Sequence, residues 1–351
     1  MRIGIAHALL AAILFGASTP FAKLLVGDVA PVLLAGLLYA GSGLGLAAWL
    51  GARRAMRADT ANEAPLSAAD VPWLAGAVLS GGIIGPVLLM TGLSLTAAST
   101  ASLLLNLEGV LTALLAWFVF REQFDRRIFT GMLLIIAGGV LLSAGTGSAA
   151  GGDFWGALCI IGACLSWAID NNLTRKVAAS DAVQIAAIKG LVAGMVNLAF
   201  ALAWLELPLP GASQAAVAGL VGFAGYGLSL VLFVLALRHL GTARTGAYFS
   251  AAPFVGAVIS LVLLGDQPGA AFWIAAALMA AGIWLHLTES HDHEHTHEKM
   301  MHAHPHYHDA HHQHTHDFPW DGKEPHVHPH EHAALTHAHP HFPDIHHRHR
   351  H

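Results

Sequence analysis

Ten apolar runs, each of about twenty residues, limit what this chain can fold into more than any other feature. They lie at 3–23, 31–50, 71–93, 97–120, 127–146, 154–174, 181–204, 214–237, 242–264 and 269–287. Each is the length a helix needs to cross the hydrocarbon core of a bilayer. The runs are continuous rather than alternating, so they predict membrane-spanning helices. Composition agrees: 55% of the residues are hydrophobic and 11% charged, against about a quarter charged in soluble domains. The mean hydropathy of +0.57 averages a very apolar body with a very polar tail. The expected fold is therefore an all-α polytopic membrane protein of ten transmembrane helices, with a disordered His-rich tail.

The few charges orient the runs. One set of joints holds Arg53, Arg54 and Arg57; Arg121, Arg126 and Arg127; Arg175 and Lys176; Arg238 and Arg244. The alternating set holds Asp28, Asp153, Glu206 and Asp266, with Lys23 as its one basic residue. Basic loops stay in the cytoplasm. Ten spans with this alternation place both termini inside a cell inner (plasma) membrane. The first run passes into Pro20 and Lys23 without a small-residue cleavage site, so it is expected to stay as a helix. Cys159 and Cys164 are five apart on one apolar run and read as packing residues.

The chain repeats itself. Shifted by 144 residues, Thr96–Leu142 lies on Leu240–His286 without a gap. Ala113, Gln123, Leu134, Ala137, Gly138 and Leu141 then meet identical residues, and Glu122 meets Asp266. With five helices per half, the second half begins on the opposite side of the membrane, so the repeat is an inverted one. The expected domains are a first five-helix repeat at 1–145, a second at 146–287, and a cytoplasmic tail at 288–351. Gly41 and Gly45, and Gly190 and Gly194, have the spacing that lets helix backbones approach closely.

Glu108 sits in the middle of the fourth run, where Ala101–Phe120 reads as one crossing helix. A carboxylate at that depth costs about 2.5–3.5 kcal/mol on insertion scales, so it must face a partner, a cavity or the bundle interior. Two readings stand: a link between helices, or a relay for solute or proton. Asp170, Asn171 and Asn172 lie late in the sixth run, where Arg175 and Lys176 could neutralise Asp170. Lys189 lies about two turns into the seventh and could pair with Glu108 or Asp170 or reach toward the cytoplasm. Asn106, Asn197, Tyr226 and Tyr248 add hydrogen-bonding groups. The candidate pathway residues are thus Glu108, Asp170, Asn171, Asn172, Lys189, Asn106, Tyr226 and Tyr248. Lys23 ends the first run and can snorkel. Trp117, Trp155, Trp167, Trp204, Trp273 and Trp284 read as an aromatic belt.

The first run contains LFGASTPFAK, the fourth LEGV with Glu122 thirteen residues after Gly109, and the ninth AAPFV with Asp266 thirteen residues after Pro253. Together these resemble the EamA family of the drug/metabolite transporter superfamily, over about 1–287. The sequence departs from that pattern in places: Phe15 stands where the family often has Trp, Gly109 replaces the Pro of a Glu-Pro pair, and Arg121 replaces a Gly. Ala252 stands where a second Glu would be. The second half opens with Trp167 and Ala168, and Arg175 falls where the first half has Lys23. The resemblance implies a ten-helix inverted-repeat carrier with a central cavity that exports metabolites, amino acids or drugs.

From Thr288 the composition changes abruptly, and 24 of the 26 His lie at or beyond His286. The tail has too little apolar surface to offset the entropy of ordering, which predicts disorder in the free chain. The candidate ligands are His291, His293, His295 and His297; His302, His304, His306 and His308; His311, His312, His314 and His316; His326, His328, His330 and His332; His337, His339 and His341; and His346, His347, His349 and His351. Neutral imidazole binds Zn, Ni and Cu ions readily. Divalent ions (Zn, Ni, Co or Cu) are the expected guests of the tail, and no cofactor is required by the body.

No phosphate loop, nucleophile elbow or dinucleotide fingerprint is present, so an enzyme is not expected, and nothing points to nucleic acid. The bilayer and a small-molecule substrate are the expected partners. The first reading is a secondary transporter that exports a metabolite, amino acid or drug-like compound. The second is a divalent metal exporter fed by its tail, and the third is a metal buffer or sensor without transport. The apolar runs hold no His or Cys cluster, which favours the first.

Overall fold

A computed structural model of the protein describes residues 2–55, 66, 68–120, 126–144, 152–174, 177 and 181–287, and four tail segments, 292–297, 300–306, 326–332 and 335–340. Two compact units result: a helical body up to residue 289, and a smaller unit that contains the tail.

The body comprises α1 (Arg2–Val26), α2 (Pro31–Ala55), α3 (Val71–Ala77), α4 (Gly85–Leu95), α5 (Ala98–Leu104), α6 (Leu107–Phe120), α7 (Arg126–Ala144), α8 (Gly152–Thr174), α9 (Ala182–Ala199), α10 (Ala212–Gly222), α11 (Ser229–Phe249), α12 (Ala252–Leu263) and α13 (Ala270–Leu287). Wide π turns at Val78–Ile84 and Phe223–Leu228 join α3 to α4 and α10 to α11, and a third, Phe200–Trp204, extends α9. Among the described residues eight helices are long and apolar enough to cross a membrane, and Ala252–Leu263 and Ala270–His286 are shorter apolar helices. The outer surface fits lipid: Val262 is 83% exposed, Phe118 72% and Leu220 68%. Exposed apolar surface on this scale is what a bilayer covers. Chain and structure together make this a multi-pass membrane protein.

Two expected boundaries are corrected. The fourth run is not one helix: it breaks at Leu105–Asn106. Asn106 causes the break, because its Nδ2 and its backbone N–H both donate to the Leu103 carbonyl, at 2.9 and 3.1 Å. Such local bonds compete with the helical ladder. The ninth run breaks one repeat later, at Ser250–Ala251, just before Pro253 in α12. Proline has no N–H to continue a helix into that position. No gap in helix separates the eighth and ninth runs, since the chain is helical from Ser229 to Phe249. Yet the rings of Phe233 and Phe249 lie 4.8 Å apart, where sixteen residues of straight helix would span about 24 Å. The chain therefore doubles back inside α11, and the joint is a tight helical reversal rather than a loop.

The repeat is visible in the contacts. Gly138 of α7 packs against Ala275 and Met279 of α13, while Gly282 of α13 packs against Gly131 and Ile135 of α7. Each residue of the first set has its counterpart in the second at an offset of 144. The π turns obey the same offset, with Gly81 matching Gly225. Helix α2 runs antiparallel to α9, with Gly36 against Leu198, Ala40 against Gly194 and Gly43 against Gly190. Helix α7 runs antiparallel to α13 in the same way. The glycine pairs thus serve close backbone packing.

Four segments of the tail fall among the described residues. They form β1 (Asp292–His297), β2 (Met300–His306), β3 (His326–His332) and β4 (Leu335–Pro340). Strand β1 pairs antiparallel with β4, and β2 with β3, as two separate two-stranded ladders. The cause is the alternation of His with small or β-compatible residues, a period of two that suits a strand. His291, His308, His311, His312, His314, His316, His341, His346, His347, His349 and His351 lie outside the described residues.

Candidate functional site

Helix α8 presents Trp167, Asp170, Asn171 and Thr174 at the spacing that groups side chains along a helix. Asp170 is 7% exposed. It accepts from Lys189 Nζ of α9 at 2.5 and 2.8 Å, and from Thr174 Oγ1 at 2.8 Å. Lys189 donates in addition to Thr174 Oγ1 at 3.2 Å. A buried pair held this way is satisfied on both sides. Lys189 therefore belongs to Asp170, not Glu108. Arg175 and Lys176, the other expected partners, lie outside the described residues.

Glu108 follows directly on the break between α5 and α6. Its Oε1 accepts from Asn171 Nδ2 at 2.9 Å, and Asn171 also reaches Thr112 Oγ1 at 3.5 Å. Among the described residues Glu108 has no cationic partner. Its carboxylate interacts electrostatically with that of Asp170. Glu108 is half-buried and Asn171 exposed on α8. Asn172 is turned to the backbone, donating to Ala168 O at 2.8 Å and Thr112 O at 3.4 Å.

The π turn at Val78–Ile84 forms the wall behind Asp170. A π turn loosens the normal ladder and leaves carbonyls for outside donors. Tyr39 OH of α2 and Trp167 Nε1 of α8 both donate to Gly81 O, at 2.8 and 2.9 Å, and Asn197 Nδ2 of α9 donates to Gly82 O at 3.2 Å. Gly81 has to be glycine, because a Cβ there would fall on the Asp170 carboxylate. Three helices are thus tied to one weakened turn, and that turn carries the ion pair on its surface.

Beside the charges lies a row of rings. Phe15 meets Trp167 edge-on at 6.2 Å, Tyr226 at 5.9 Å and Phe249 at 5.5 Å, and Tyr39 meets Tyr226 at 5.4 Å. Phe15 and Trp167 occupy matching positions near the start of each half, and they touch each other here. The Tyr226 hydroxyl is buried near Ser18.

Of the candidate residues, the structure brings Glu108, Asp170, Asn171, Asn172 and Lys189 together and sets Tyr226 in the adjoining ring row. Asn106 serves the helix break and touches Met279 Sδ at 3.7 Å. Tyr248 stands on the last turn of α11, before the second break. Trp167 departs from the expected belt, being 6% exposed, while Trp155, Trp204, Trp273 and Trp284 are all more than half exposed. Tyr39, Gly81, Thr112 and Thr174 were not singled out in the sequence, since a lone Tyr, Thr or Gly in an apolar run carries no signal of its own. Lys23 does more than snorkel: it donates to Leu93 O and Thr96 O at the end of α4, the second at 2.9 Å. Asp266 accepts from Ser99 N at 3.0 Å, at the start of α5. Glu122, its repeat counterpart, lies outside the described residues.

An all-helical membrane body, broken helices in both halves and an intramembrane charge cluster define the class: a polytopic membrane transporter. The profile of the EamA-like transporter family matches residues 2–144 and 154–288. The chain belongs to that family. An uncharacterized transporter of Methanothermobacter thermautotrophicus is 29% identical over 294 residues, which cover 78% of this chain and 83% of the relative. The probable 4-amino-4-deoxy-L-arabinose-phosphoundecaprenol flippase subunit ArnE of Pseudomonas aeruginosa is 44% identical over 71 residues, 20% of this chain and 59% of that one. A crystal structure of a protein 22% identical in sequence shares the fold, with a TM-score of 0.58 over 80% of this chain and 95% of that one.

Proposed function

We propose that the protein is a ten-helix secondary carrier built as an inverted repeat, exporting a small organic solute (a metabolite, amino acid or drug-like compound) from the cytoplasm. The observation that carries this reading is Glu108, a half-buried carboxylate with no cationic partner among the described residues, paired with exposed Asn171 at a helix break inside an apolar body. Such a pair facing lipid would be costly, whereas facing a solute pathway it is a site. The antiparallel packing of α2 on α9 and α7 on α13 supports the inverted repeat. The ring row beside the carboxylate suits an amphipathic guest, with amines foremost, since a cation gains from both carboxylate and ring faces. The flippase relative, named for an amino-sugar lipid, is in keeping with that class.

Metal as cargo fits the body less well. Asp170 is already occupied by Lys189 and Thr174, leaving Glu108 with amide and hydroxyl neighbours. Among the described residues no three His, Cys, Asp or Glu gather as ligands. The tail is proposed as a cytoplasmic binder of divalent ions that senses or buffers them beside the carrier.

The test is a deletion strain challenged in parallel with toxic amino acids, amines and Zn, Ni, Co and Cu salts, complemented by the whole protein or Glu108→Gln. The whole protein should restore resistance to an organic solute. The variant should reach the membrane at normal level and lose at least tenfold in export. Resistance restored to metals alone, or full export by Glu108→Gln, would reject this reading.

A further inference from the structure

The helices on either side of the two breaks are not equally packed. Before the first break and after the second, α5 and α12 lie in close contact. A Cβ on Gly256 would stand 2.8 Å from Ser102 Oγ and 2.7 Å from Gly16 O. Asp266, just past α12, accepts from Ser99 N at the start of α5, and Lys23 of α1 donates to Thr96 O beside it. One end of the body is therefore held shut by α1, α5 and α12.

The offset of 144 places Gly246 at the position of Ser102, and Thr112 at that of Gly256. Thr112 stands on α6 and Gly246 on the last turns of α11. These two do not meet. Gly246 is exposed, and among the described residues no atom comes within 4 Å of a Cβ placed on it. Gly109, nearly one turn before Thr112, faces open space in the same way. The neighbouring contacts do match across the halves. Helix α12 packs on α1 at Gly16, and α6 packs on α8, where Asn171 and Asn172 reach Thr112 Oγ1 and Thr112 O at 3.5 and 3.4 Å. The difference between the halves lies in the one contact that α5 makes with α12.

Small side chains let helix backbones approach closely. Glycine is, after proline, the residue least suited to a helix interior, and at Gly246 no described neighbour makes use of the missing side chain. Inverted repeats exchange conformations to open a carrier on one side and then on the other. A contact made by one half therefore specifies the contact that its counterpart makes in the opposite state. The existing contact is also built to part. Among the described residues the Ser102 hydroxyl is buried there with no hydrogen-bond partner, which offsets some of the gain from packing.

We infer that Gly246 and Thr112 are the two sides of a second contact, unmade in this structure, that closes the Asn171 end of the body when the Ser102–Gly256 contact opens. The inference rests on the reading of the chain as an inverted-repeat carrier and adds to it the residues that close the other end. Glu108 holds the place of Ala252, four residues before Thr112 on the same helix face. The closing face thus carries the carboxylate toward α11.

Two measurements on the full-length protein test this, both with Cys159→Ala and Cys164→Ala. In the first, Thr112→Cys is combined with Gly246→Cys and oxidised in membranes. A disulfide needs Cβ atoms about 3.5–4.5 Å apart, so a link reports the contact. That pair should link. Ala113→Cys with Gly246→Cys, turned about 100° round α6, should not. In the second, Gly246→Leu is assayed for export. The added side chain enters open space in this structure, so the variant should reach the membrane and melt like its parent. Export should nevertheless fall at least tenfold, because leucine holds α6 off α11. Gly51→Leu, at another helix glycine with open space around its Cβ, should export normally. Absence of the link, equal linking of the Ala113 pair, or full export by Gly246→Leu rejects the contact and leaves the carrier reading intact. A link in a protein whose parent exports no organic solute keeps the contact and rejects the proposed cargo.

Discussion

The two halves of the body present the same backbone and opposite chemistry. Gly81 and Gly225 sit at matching places in matching π turns, and each lets a side chain of the other half press on the backbone. Against Gly81 that side chain is Asp170, locked to Lys189. Against Gly225 it is Ser18, which donates to Phe15 O at 2.6 Å. The helix breaks match as well, but Glu108 follows the first and Ala252 the second. Glu108 faces Asn171 of α8, whereas Ala252 packs its backbone on Gly16 of α1. Symmetry here provides two matching turns and breaks, and among the described residues only those of the first half meet a charged or amide side chain. A carrier has to bend in both halves, but it needs one place to hold a polar guest. The turn and the break of the second half meet Ser18 and Gly16 of the first, neither of them charged.

The largest effect expected from this difference is on the ion pair. Lys189→Met leaves Asp170 buried and uncompensated, a loss of about 3–5 kcal/mol when a buried pair is broken from one side. The variant should show a much lower melting temperature in detergent. Adding Asp170→Asn should recover most of that stability, because no buried charge is then left unpaired, without recovering export. If Lys189→Met melted like the parent, Asp170 would have another counter-charge.

A smaller difference separates the two glycines. Gly81→Ala drives a methyl into the Cβ and carboxylate of Asp170, already fixed by two donors, while Gly225→Ala meets closely only the Cβ of Ser18, which a shift of the helix has to relieve and whose hydroxyl alone can turn aside. Overpacking typically costs about 1–3 kcal/mol. Gly81→Ala is expected at the upper end and Gly225→Ala lower, with export hit harder by the first. Equal losses in both would mean that the charge contributes nothing to the hinge.

The smallest effect belongs to Lys23, which reaches the carbonyls ending α4 in one half. A cation at a helix C-terminus contributes about 0.3–1 kcal/mol. Lys23→Met should shift melting slightly. Topology reporters after Arg57, Arg127 and Thr288 should read as cytoplasmic, and those near Gly147 and Pro210 as periplasmic, in parent and variant alike.

Much of this was legible because the bilayer imposes it. Apolar runs of one length, an alternation of Arg-rich joints and an offset of 144 residues follow from hydrocarbon thickness, loop charge and gene-scale duplication of a helix set. All three leave marks in one-dimensional text. Glu108, Asp170 and Lys189 were legible too, because a charge in an apolar run has to be explained. What the sequence left open was the partnering. Lys189 could reach either carboxylate on spacing alone, and only the packing of α9 on the π turn delivers it to Asp170. The break in the fourth run was hidden because Asn106 is one polar residue among apolar ones, and its effect depends on bonding its own backbone.

The sequence by itself determined that the body is a series of apolar runs of spanning length, that part of it recurs at an offset of 144 residues, and that histidines alternate in the tail. These are periodicities and totals, which solvent, lipid or aqueous, reads directly. The tertiary structure decided which residues meet across helices: Lys189 with Asp170, Asn171 with Glu108 and Phe15 with Trp167. Those are relations between segments far apart in the chain, set by helix packing in the body. Identical local sequence can satisfy several such arrangements until close packing and paired hydrogen bonds select one.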